Sequence, residues 1–391
     1  MDYYQKGIEL VKKNRGKFEV VSKVTVKDLE DLSVAYTPGV AGPTLKVKEN
    51  PQLAYSYTIK GSFVPVVTDG SAVLGLGNIG PEAAMVVMEG KAILLKAFAE
   101  IDAIPLCLGT LDVDEIVRTI KILEPTFGGI FLEDISAPRC FEVEERLRQE
   151  LSIPVFHDDQ HGTAIATAAA LWNALKVVKK SINEIRVVIN GAGASGYETA
   201  RLLMTMGVRY MVVCDTSGAI YLGRPGGMNK YKRRLAQATN PWKIKTLEEA
   251  MVGADVFIGL SGPGVLNEKM VRSMSKDPII FAMSNPIPEI FPDEAKEYGA
   301  KVVGTGRSDF KNQVNNLLAF PGVMRGALDV RAKTINDEMK IAAAKAIAGY
   351  VRDSELDPDH VTPCALEKEL AFVVARAVAK AARDSGVARA I

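Results

Sequence analysis

The sequence contains little cysteine and histidine. It has four cysteines and three histidines in 391 residues. The cysteines, Cys107, Cys140, Cys214 and Cys364, are widely separated and form no CxxC pair. This pattern argues against a disulfide framework, so we expect reduced thiols, most of them buried.

An excess of charge and a long apolar segment are also missing. The 48 basic and 47 acidic residues leave a net charge of +1, which gives no general attraction to nucleic acid or to an anionic membrane. The start, MDYYQKGIEL, has no apolar signal-peptide core, and the most apolar long segment, Ala164 to Val178, is interrupted by polar residues. We therefore expect a cytoplasmic globular protein that acts on a small molecule, without a nucleic-acid or membrane partner.

Apolar strands and amphipathic helices alternate in the first half of the chain. The segments IPLCLG, GGIFLE and IPVFH are typical of strands, and VDEIVRTIKIL and APRCFEVEERLRQEL between them are typical of helices. This alternation predicts a mainly parallel sheet covered by helices. Ligands of such sheets bind at the carboxyl ends of the strands, so the residues there are the first candidates for a site.

Acidic residues follow two of these strands. Glu133 and Asp134 end one strand, and Asp158 and Asp159 end the next. Four carboxylates at one sheet edge repel one another unless a cation neutralises them, and oxygen ligands suit Mg²⁺ or Mn²⁺. The alternative is that Asp134 or Asp158 only caps the following helix. We favour the metal because the two pairs occupy matching positions.

The segment HDDQH spaces His157 and His161 like the histidines of a helical zinc site. However, His157 ends a predicted strand, and Gly162 directly follows His161. A shared helix face is therefore doubtful, and zinc is the weaker interpretation.

A lysine interrupts the apolar face of a predicted helix that starts near Pro81 and ends near Ala99. Positions 84, 88, 91, 95 and 98 share that face and carry Ala, Met, Lys, Leu and Phe. Lys91 must snorkel at the domain edge, pair with a carboxylate, or lose its proton more easily, because burial disfavours the ammonium form and lowers the pKa. It is the better candidate for chemistry on this helix.

The stretch LSVAYTPGVAGP is rich in proline and glycine, which predicts a loop lying on the body of the protein. It contains Tyr36. From the residues alone we interpret Tyr36 as a packed aromatic whose hydroxyl is bonded to the backbone.

The segment EIRVVINGAGASGYETARLLMTMG combines a strand, a glycine-rich turn and a helix. We predict that the turn binds a dinucleotide pyrophosphate at the helix N-terminus. Its residues are Gly191, Ala192, Gly193, Ala194, Ser195 and Gly196. Asp215 ends the next strand, where an acid can bond the adenosine ribose. No basic residue follows at once, which favours NAD over NADP, although Arg224 or Lys230 could reverse that preference.

Two further loops present asparagines. Asn285 precedes a proline in SNPIPE and therefore cannot lie in a helix. Asn315 and Asn316 in QVNNLLAFPGVMRG either form an ordinary turn or reach a ligand carboxylate and the nicotinamide. These patterns together predict an N-terminal α/β domain with a mainly parallel sheet and a Rossmann-type NAD(P)-binding domain.

We predict that the N-terminal catalytic and metal-binding domain covers residues 1–160 and that the nucleotide-binding domain covers residues 161–328. Residues 329–391 are expected to form alanine-rich helices that pack on both domains or form a dimer surface.

The ordered motifs LSVAYTPGVA, VTDGSAVLGLGNIGPEAAMVVMEGK, FLED, PVFHDDQHGT, INGAGASG, SNP and NNLLAFPGV resemble those of the malic enzymes. They are most similar to the short bacterial and archaeal branch. The resemblance implies oxidative decarboxylation of (S)-malate to pyruvate and CO₂ with reduction of NAD(P). It also implies dependence on Mg²⁺ or Mn²⁺, decarboxylation of oxaloacetate, and a homodimer.

The resemblance also implies roles for individual residues. Lys91 is the expected general base at the C2 hydroxyl, held in place by Asp158, and Tyr36 is the expected general acid at C3 of the enol. The implied metal ligands are Glu133, Asp134 and Asp159, and the implied substrate ligands are Asn285 with Asn315 or Asn316.

Two features depart from other members of the family. Larger malic enzymes have a substrate-binding arginine where this sequence has Ala72. Some short ones continue into a phosphotransacetylase-like domain, which we do not expect here because the sequence ends at Ile391. The competing functions are a metal-dependent 2-hydroxy acid dehydrogenase that does not decarboxylate, and a non-catalytic nucleotide sensor with the same fold.

Overall fold

The computed structural model describes residues 3–73 and 75–389. Four short helices precede the first strand: α1 (Tyr3–Asn14), α2 (Leu29–Ala35), α3 (Ala41–Glu49) and α4 (Ala54–Tyr57). None of the four contains a buried residue. Residues 32–35 and 41–43 of the predicted loop LSVAYTPGVAGP lie in α2 and α3. The loop prediction is therefore wrong for most of its length. Asp28 caps α2 through its side chain, and Pro43 lies in the first turn of α3, where a proline is tolerated.

The first sheet is parallel throughout, as predicted. Its strands are β1 (Phe63–Thr68), β2 (Asp102–Cys107), β3 (Ile130–Leu132) and β4 (Val155–His157), in the order β2-β1-β3-β4, and its connecting helices are α5 (Gly80–Ala99), α6 (Val113–Leu123) and α7 (Arg139–Glu150). The apolar β1, β3 and β4 are buried along nearly all their length, as expected for a sheet with helices on both faces.

A long buried helix follows the sheet. Helix α8 (Asp158–Val178) starts directly after β4, and most of its alanines are buried. It connects the strands of the first sheet to β5 (Arg186–Asn190) of the second. The proposed boundary between residues 160 and 161 falls in its first turn, and the division into domains stays a prediction.

The second sheet has the order β10-β9-β8-β5-β6-β7. Its strands are β5 (Arg186–Asn190), β6 (Tyr210–Asp215), β7 (Gly218–Ala219), β8 (Val256–Gly259), β9 (Ile279–Ala282) and β10 (Val302–Thr305), and its helices are α9 (Ala194–Thr205), α10 (Lys230–Ala238), α11 (Leu247–Met251), α12 (Glu268–Arg272) and α13 (Pro292–Glu297). All pairs are parallel except β6 with β7. The neighbours of β5 are β6 and β8, so the chain changes direction there, where Rossmann-type sheets bind nucleotides.

Three helices close the fold: α14 (Phe320–Asp329), α15 (Asp337–Tyr350) and α16 (Lys368–Asp384). Helix α14 lies within QVNNLLAFPGVMRG, which was interpreted as a loop that presents asparagines. Its Gly322 and Gly326 allow close packing, since a Cβ at either position would lie within 2.6 Å of a backbone oxygen of α16. The remaining short 3₁₀ helices are Pro51–Leu53, Ile59–Ser62, Glu124–Thr126, Asn316–Leu318 and Asp353–Glu355.

Two expectations about the whole chain can be compared with the structure. In the described residues, no helix combines the length and the apolar character needed to cross a membrane. All four cysteines are free thiols. Cys140 and Cys214 are buried, Cys107 is half-buried and Cys364 is exposed, so burial was correctly expected for only part of the set.

Candidate active site

The two acidic pairs lie side by side at the carboxyl edge of the first sheet. Leu132 of β3 pairs with His157 of β4, so the residues that follow each strand are neighbours. Asp134 has a left-handed backbone, with φ of 56°, and its N–H donates to Asp159 Oδ2 at 2.9 Å. Aspartate tolerates this conformation better than most residues.

Three of these carboxylates fit a divalent cation. One oxygen each from Glu133, Asp134 and Asp159 lies within 4.8 Å of the others. Glu133 Oε2 and Asp134 Oδ2 are buried and have no hydrogen-bond partner. Burial and then the Asp159 charge raise the pKa of Asp134 to about 8, and burial also raises the pKa of Glu133. An all-oxygen set of this kind suits Mg²⁺ or Mn²⁺.

Lys91 reaches the same cluster from α5. Its Nζ lies 2.5 Å from Asp158 Oδ2 and 3.1 Å from Glu133 Oε1, and 4.8 Å from the ring centre of Phe320. The side chain is only 13% exposed, so it does not snorkel. Burial alone would lower the pKa of Lys91, but Asp158 and Glu133 outweigh burial and raise it. The predicted lowered pKa is therefore wrong for the metal-free protein.

Neither aspartate acts as a helix cap. Helix α8 begins after His157 and α7 after Pro138, and neither helix has a side-chain cap bond. The capping alternative for Asp134 and Asp158 therefore fails, and both side chains are available to the cluster.

The sequence interpretation missed Gly162, which makes room for Asp158. A Cβ at Gly162 would lie 1.9 Å from Asp158 Oδ1 and 2.9 Å from Asn316 Cβ. A glycine inside a helix is usually unfavourable. Its position four residues after Asp158 was the signal that could have identified this contact.

The histidines of HDDQH do not form a zinc pair. His161 lies between two carboxylates, with Nε2 2.5 Å from Glu144 and Nδ1 2.9 Å from Glu198. His157 is fully buried, and its Nδ1 lies 3.9 Å from Asp159. Both ring nitrogens of His161 are therefore engaged within the protein.

His161 belongs to a second buried charge cluster, which the sequence interpretation also missed. It joins α7, α8, α9 and α15, and its members are Glu144, His161, Glu198, Arg201, Asp337 and Lys340. Lys340 Nζ donates to Glu198 at 3.0 Å. Burial alone would raise the pKa of Glu144, but His161 outweighs burial and lowers it to about 2. The cluster therefore combines three acidic with three basic side chains.

The glycine-rich turn has the geometry expected of a phosphate-binding turn. Gly191 has φ of 123°, and a Cβ at Gly196 would lie 1.8 Å from the Gly191 oxygen. Helix α9 starts at Ala194, and Gly193 before it provides no side-chain cap. The first N–H groups of α9 are therefore free to bond a phosphate.

A cavity of about 690 Å³ brings the candidate residues together. Its walls include Lys91, Glu133, Asp134, Asp159, Ser195, Asn285, Asn315 and Asn316, together with residues 260–263. It therefore contacts the acidic cluster, the glycine-rich turn and the asparagine loops. The Asn315 side chain also caps the following 3₁₀ turn by accepting the Leu317 N–H at 2.9 Å, so the turn interpretation is confirmed, while contact with a ligand stays a prediction.

Comparison with known proteins identifies the family. The family model described as "Malic enzyme, N-terminal domain" matches residues 15–148, and "Malic enzyme, NAD binding domain" matches residues 160–383. The chain belongs to the malic enzyme family. It is 60% identical over its full length to the bifunctional malic/malolactic enzyme of Bacillus subtilis, of which it covers 95%.

Two further members of the malic enzyme family agree. The chain is 53% identical to the NAD-dependent malic enzyme of Geobacillus stearothermophilus, with 96% of this chain and 78% of the relative aligned. The crystal structure of the NAD-dependent malic enzyme of Thermotoga maritima superposes with a TM-score of 0.92 at 47% identity, covering 95% of this chain and 98% of that one.

Tyr36, the general acid that the resemblance implies, does not reach the cavity of its own chain. The Tyr36 side chain is 68% exposed, and Tyr36 does not line the cavity. Its interpretation as a packed aromatic is therefore wrong.

Asp215 is not free to bond a ribose. Both of its oxygens accept from Arg224, at 2.9 and 2.7 Å, and Oδ2 also accepts from Lys232 at 2.7 Å. The Ser217 N–H bonds Oδ1 as well. Burial alone would raise the pKa of Asp215, but these partners lower it. Arg224 was foreseen, whereas the second base is Lys232 and not Lys230. The sequence argument for NAD over NADP is thereby lost.

At Ala72, where larger malic enzymes have the substrate-binding arginine, the structure shows a backbone hydrogen bond. The Ala72 N–H donates to the Asp134 oxygen at 3.0 Å. Among the described residues that line the cavity, Lys91 carries the only positive side chain. Within one chain, a substrate carboxylate in this cavity would therefore meet Lys91, amides or a bound cation.

Proposed function

We propose that the protein converts (S)-malate to pyruvate and CO₂ with reduction of NAD or NADP, assisted by Mg²⁺ or Mn²⁺. One observation carries the proposal. Lys91, three convergent carboxylates and the glycine-rich turn face a single cavity. The same carboxylates would also suit a metal-dependent dehydrogenase, but only decarboxylation leaves an enolate whose charge a cation there would stabilise, and the product balance described below separates the two.

The acidic cluster divides into two parts. Glu133, Asp134 and Asp159 would hold the cation, while Asp158 holds Lys91. A divalent cation there would offset the negative charge that develops on the C2 oxygen when CO₂ leaves, and the glycine-rich turn would hold NAD or NADP as the hydride acceptor.

Lys91 takes the proton of the C2 hydroxyl. A general base must be neutral before it acts, whereas the two nearby carboxylates favour the ammonium form of Lys91 in the metal-free protein. Glu133 that ligates a cation no longer contributes its full charge to Lys91, which favours the neutral amine. The amides of Asn285, Asn315 and Asn316 bind the substrate carboxylates, and Asn285 also contacts the nicotinamide end of the cofactor.

Tyr36 protonates C3 of the enol in a site shared between two copies of the chain. Its exposure and its absence from the cavity wall support a partner's site over its own. The segment around it also carries exposed apolar side chains, among them Val20, Val21 and Val24, which a second copy would cover. A homodimer is the simplest assembly that does so.

Complementation tests this arrangement. Mixing and reassociating inactive Tyr36→Phe and Lys91→Ala chains forms heterodimers in which one site has both native residues, so roughly a quarter of wild-type activity returns if subunits exchange freely. If Tyr36 serves its own subunit, the mixture stays inactive.

The compartment proposed for the protein is the cytoplasm. Its four free thiols support this location, because reduced cysteines are typical of a reducing compartment.

The product balance tests the proposed function. The protein is incubated with (S)-malate, Mn²⁺ and either NAD or NADP, and CO₂ and reduced cofactor are measured together. Equal amounts are expected, with little turnover when Mn²⁺ is omitted. Reduced cofactor without matching CO₂ would indicate the plain dehydrogenase, and no turnover with either cofactor would indicate the nucleotide sensor.

A further inference from the structure

A buried carboxylate connects two loops of the cavity wall. Glu289 is fully buried. Its Oε1 accepts the Ser261 N–H and its Oε2 accepts the Ser284 N–H, each at 3.0 Å. The mechanism proposed above gives this side chain no task.

The two amides occupy equivalent places in the sheet. Strands β8 and β9 pair in parallel, with Gly259 opposite Ala282. The sheet ladder continues for one residue beyond each strand, since the Leu260 N–H donates to Asn190 and the Met283 N–H donates to Gly259. The next N–H on each chain therefore needs another acceptor, and Glu289 provides one for both.

The surrounding residues are fitted to the carboxylate. A Cβ at Gly259 would lie 2.3 Å from Glu289 Cδ, so any larger residue there would displace the side chain. The link also extends to a third strand, because Asn190 at the end of β5 donates to Ser261 Oγ at 2.7 Å. Glu289 thus fixes the carboxyl edge of the sheet where the nucleotide is expected.

The charge of Glu289 is not balanced by a base. No ion pair within residues 3–73 and 75–389 includes Glu289, and burial raises its pKa. A buried carboxylate without a cation is costly. Glutamine cannot replace it in bonding, because an amide offers one acceptor oxygen while two N–H donors must be met.

We propose that Glu289 is a positioning residue for the reaction, because it holds residues 260–263 and 283–287 where they line the cavity. The second loop carries Asn285, so Glu289 determines where that amide meets the nicotinamide end of the cofactor and the substrate. This role rests on the proposed function. It predicts that Glu289 affects the nucleotide side of the cavity and leaves the metal side, which lies on the other sheet, unchanged.

The test compares Glu289→Gln with a matched control, Glu297→Gln, an exposed residue of α13. Two dissociation constants are measured without turnover: that of NADH or NADPH by fluorescence, and that of Mn²⁺ by calorimetry. We expect Glu289→Gln to weaken nucleotide binding about tenfold and to lower kcat/KM for malate about 10- to 100-fold, with Mn²⁺ affinity unchanged. The control should match wild type in all three.

Two further results keep the outcome clear. Glu289→Asp retains both oxygens on a shorter side chain and should fall between wild type and Glu289→Gln, which also serves if the latter does not fold. A Glu289→Gln protein that folds, binds nucleotide as wild type does and keeps wild-type kcat/KM overturns the proposal. If wild type releases no CO₂ from malate, the proposed function fails, but the nucleotide-binding comparison still tests Glu289.

Discussion

Two buried charge clusters flank the first turn of α8, and they differ in the ratio of acidic to basic side chains. The cluster on the cavity side has four carboxylates and one lysine, with buried oxygens that lack partners. The cluster around His161 has three acids and three bases. The pKa of Asp134 is raised to about 8 in the first, and the pKa of Glu144 is lowered to about 2 in the second.

The difference separates a site from a structural junction. Carboxylates whose charge is opposed by burial and by like neighbours store unfavourable energy that a cation can release. Carboxylates that are matched by bases hold helices together and leave no capacity for a ligand. Residues two positions apart on α8, Asp159 and His161, belong to these opposite environments.

Removing the single base of the unbalanced cluster should have the largest effect. Lys91→Ala should lower kcat for CO₂ release by about 10³-fold or more, because proton transfer loses its acceptor. Lys96→Ala is the control, since Lys96 lies on the same helix but is exposed and pairs with Asp102. Near-normal turnover by Lys91→Ala would mean that another group is the base.

Breaking the balanced cluster should reduce stability. Glu198→Gln removes the negative charge that Lys340 and Arg201 face and leaves one acceptor oxygen in place of two, so it should lower the free energy of unfolding by about 3 kcal/mol. Glu145→Gln, whose ion-pair partners are exposed, should cost less than about 1 kcal/mol. Denaturant titration measures the free energy of unfolding of both variants. Equal losses would contradict the claim that the buried cluster stabilises the fold more than exposed ion pairs do.

The balanced cluster also predicts an acid dependence. The pKa of Glu144 falls from 4.5 to about 2 on folding, so its contribution to stability is complete above the unfolded value and is lost as the pH drops towards 2. Unfolding of wild type should therefore become easier below pH 4.5. Glu144→Gln should be less stable at neutral pH and should show a shallower change over that range.

In the acidic cluster, we expect stability to change with pH in the opposite direction. Because the pKa of Asp134 is raised from 3.8 to about 8, ionisation opposes folding and stability falls as the pH rises through that range. Asp134→Asn should raise the free energy of unfolding of the metal-free protein by roughly 1–3 kcal/mol near pH 8. A loss of stability instead would show that the cluster is not strained.

The smallest effect concerns a third cluster, at the end of β6. Asp215 faces two bases, Arg224 and Lys232, so this position has an excess positive charge that suits an adenosine 2′-phosphate. Lys232→Gln should reduce the preference for NADP relative to NAD by roughly 3- to 10-fold in kcat/KM. An unchanged ratio of kcat/KM with NADP to that with NAD would show that Lys232 does not determine the choice of cofactor.

The acidic cluster was predictable because it depends on local patterns. Alternating strands and helices place Glu133 and Asp159 at one sheet edge, and the helical period places Lys91 on the buried face. The partners of Asp215 were harder to predict, because Lys232 is brought there by the fold of the intervening loop. Helix α14 was missed because Gly322 is explained only by its packing on α16.

Tyr36 shows a different limit. Its motif supported the family, but the side chain is exposed in one chain, and its role in the reaction depends on the proposed second copy. Glu289 and the balanced cluster were invisible for a related reason. Their contacts join residues from separate elements, such as Ser261 with Ser284, and no spacing in the sequence records them.

Mn²⁺ binding tests the central claim most directly. Calorimetric titration of wild type should give one Mn²⁺ per chain, and Asp159→Asn should bind at least about tenfold more weakly because one of its three carboxylate ligands is lost. Glu198→Gln, in the balanced cluster, should bind as wild type does. Absence of binding in wild type, or equal affinity in Asp159→Asn, would contradict the assignment of the acidic cluster as the metal centre.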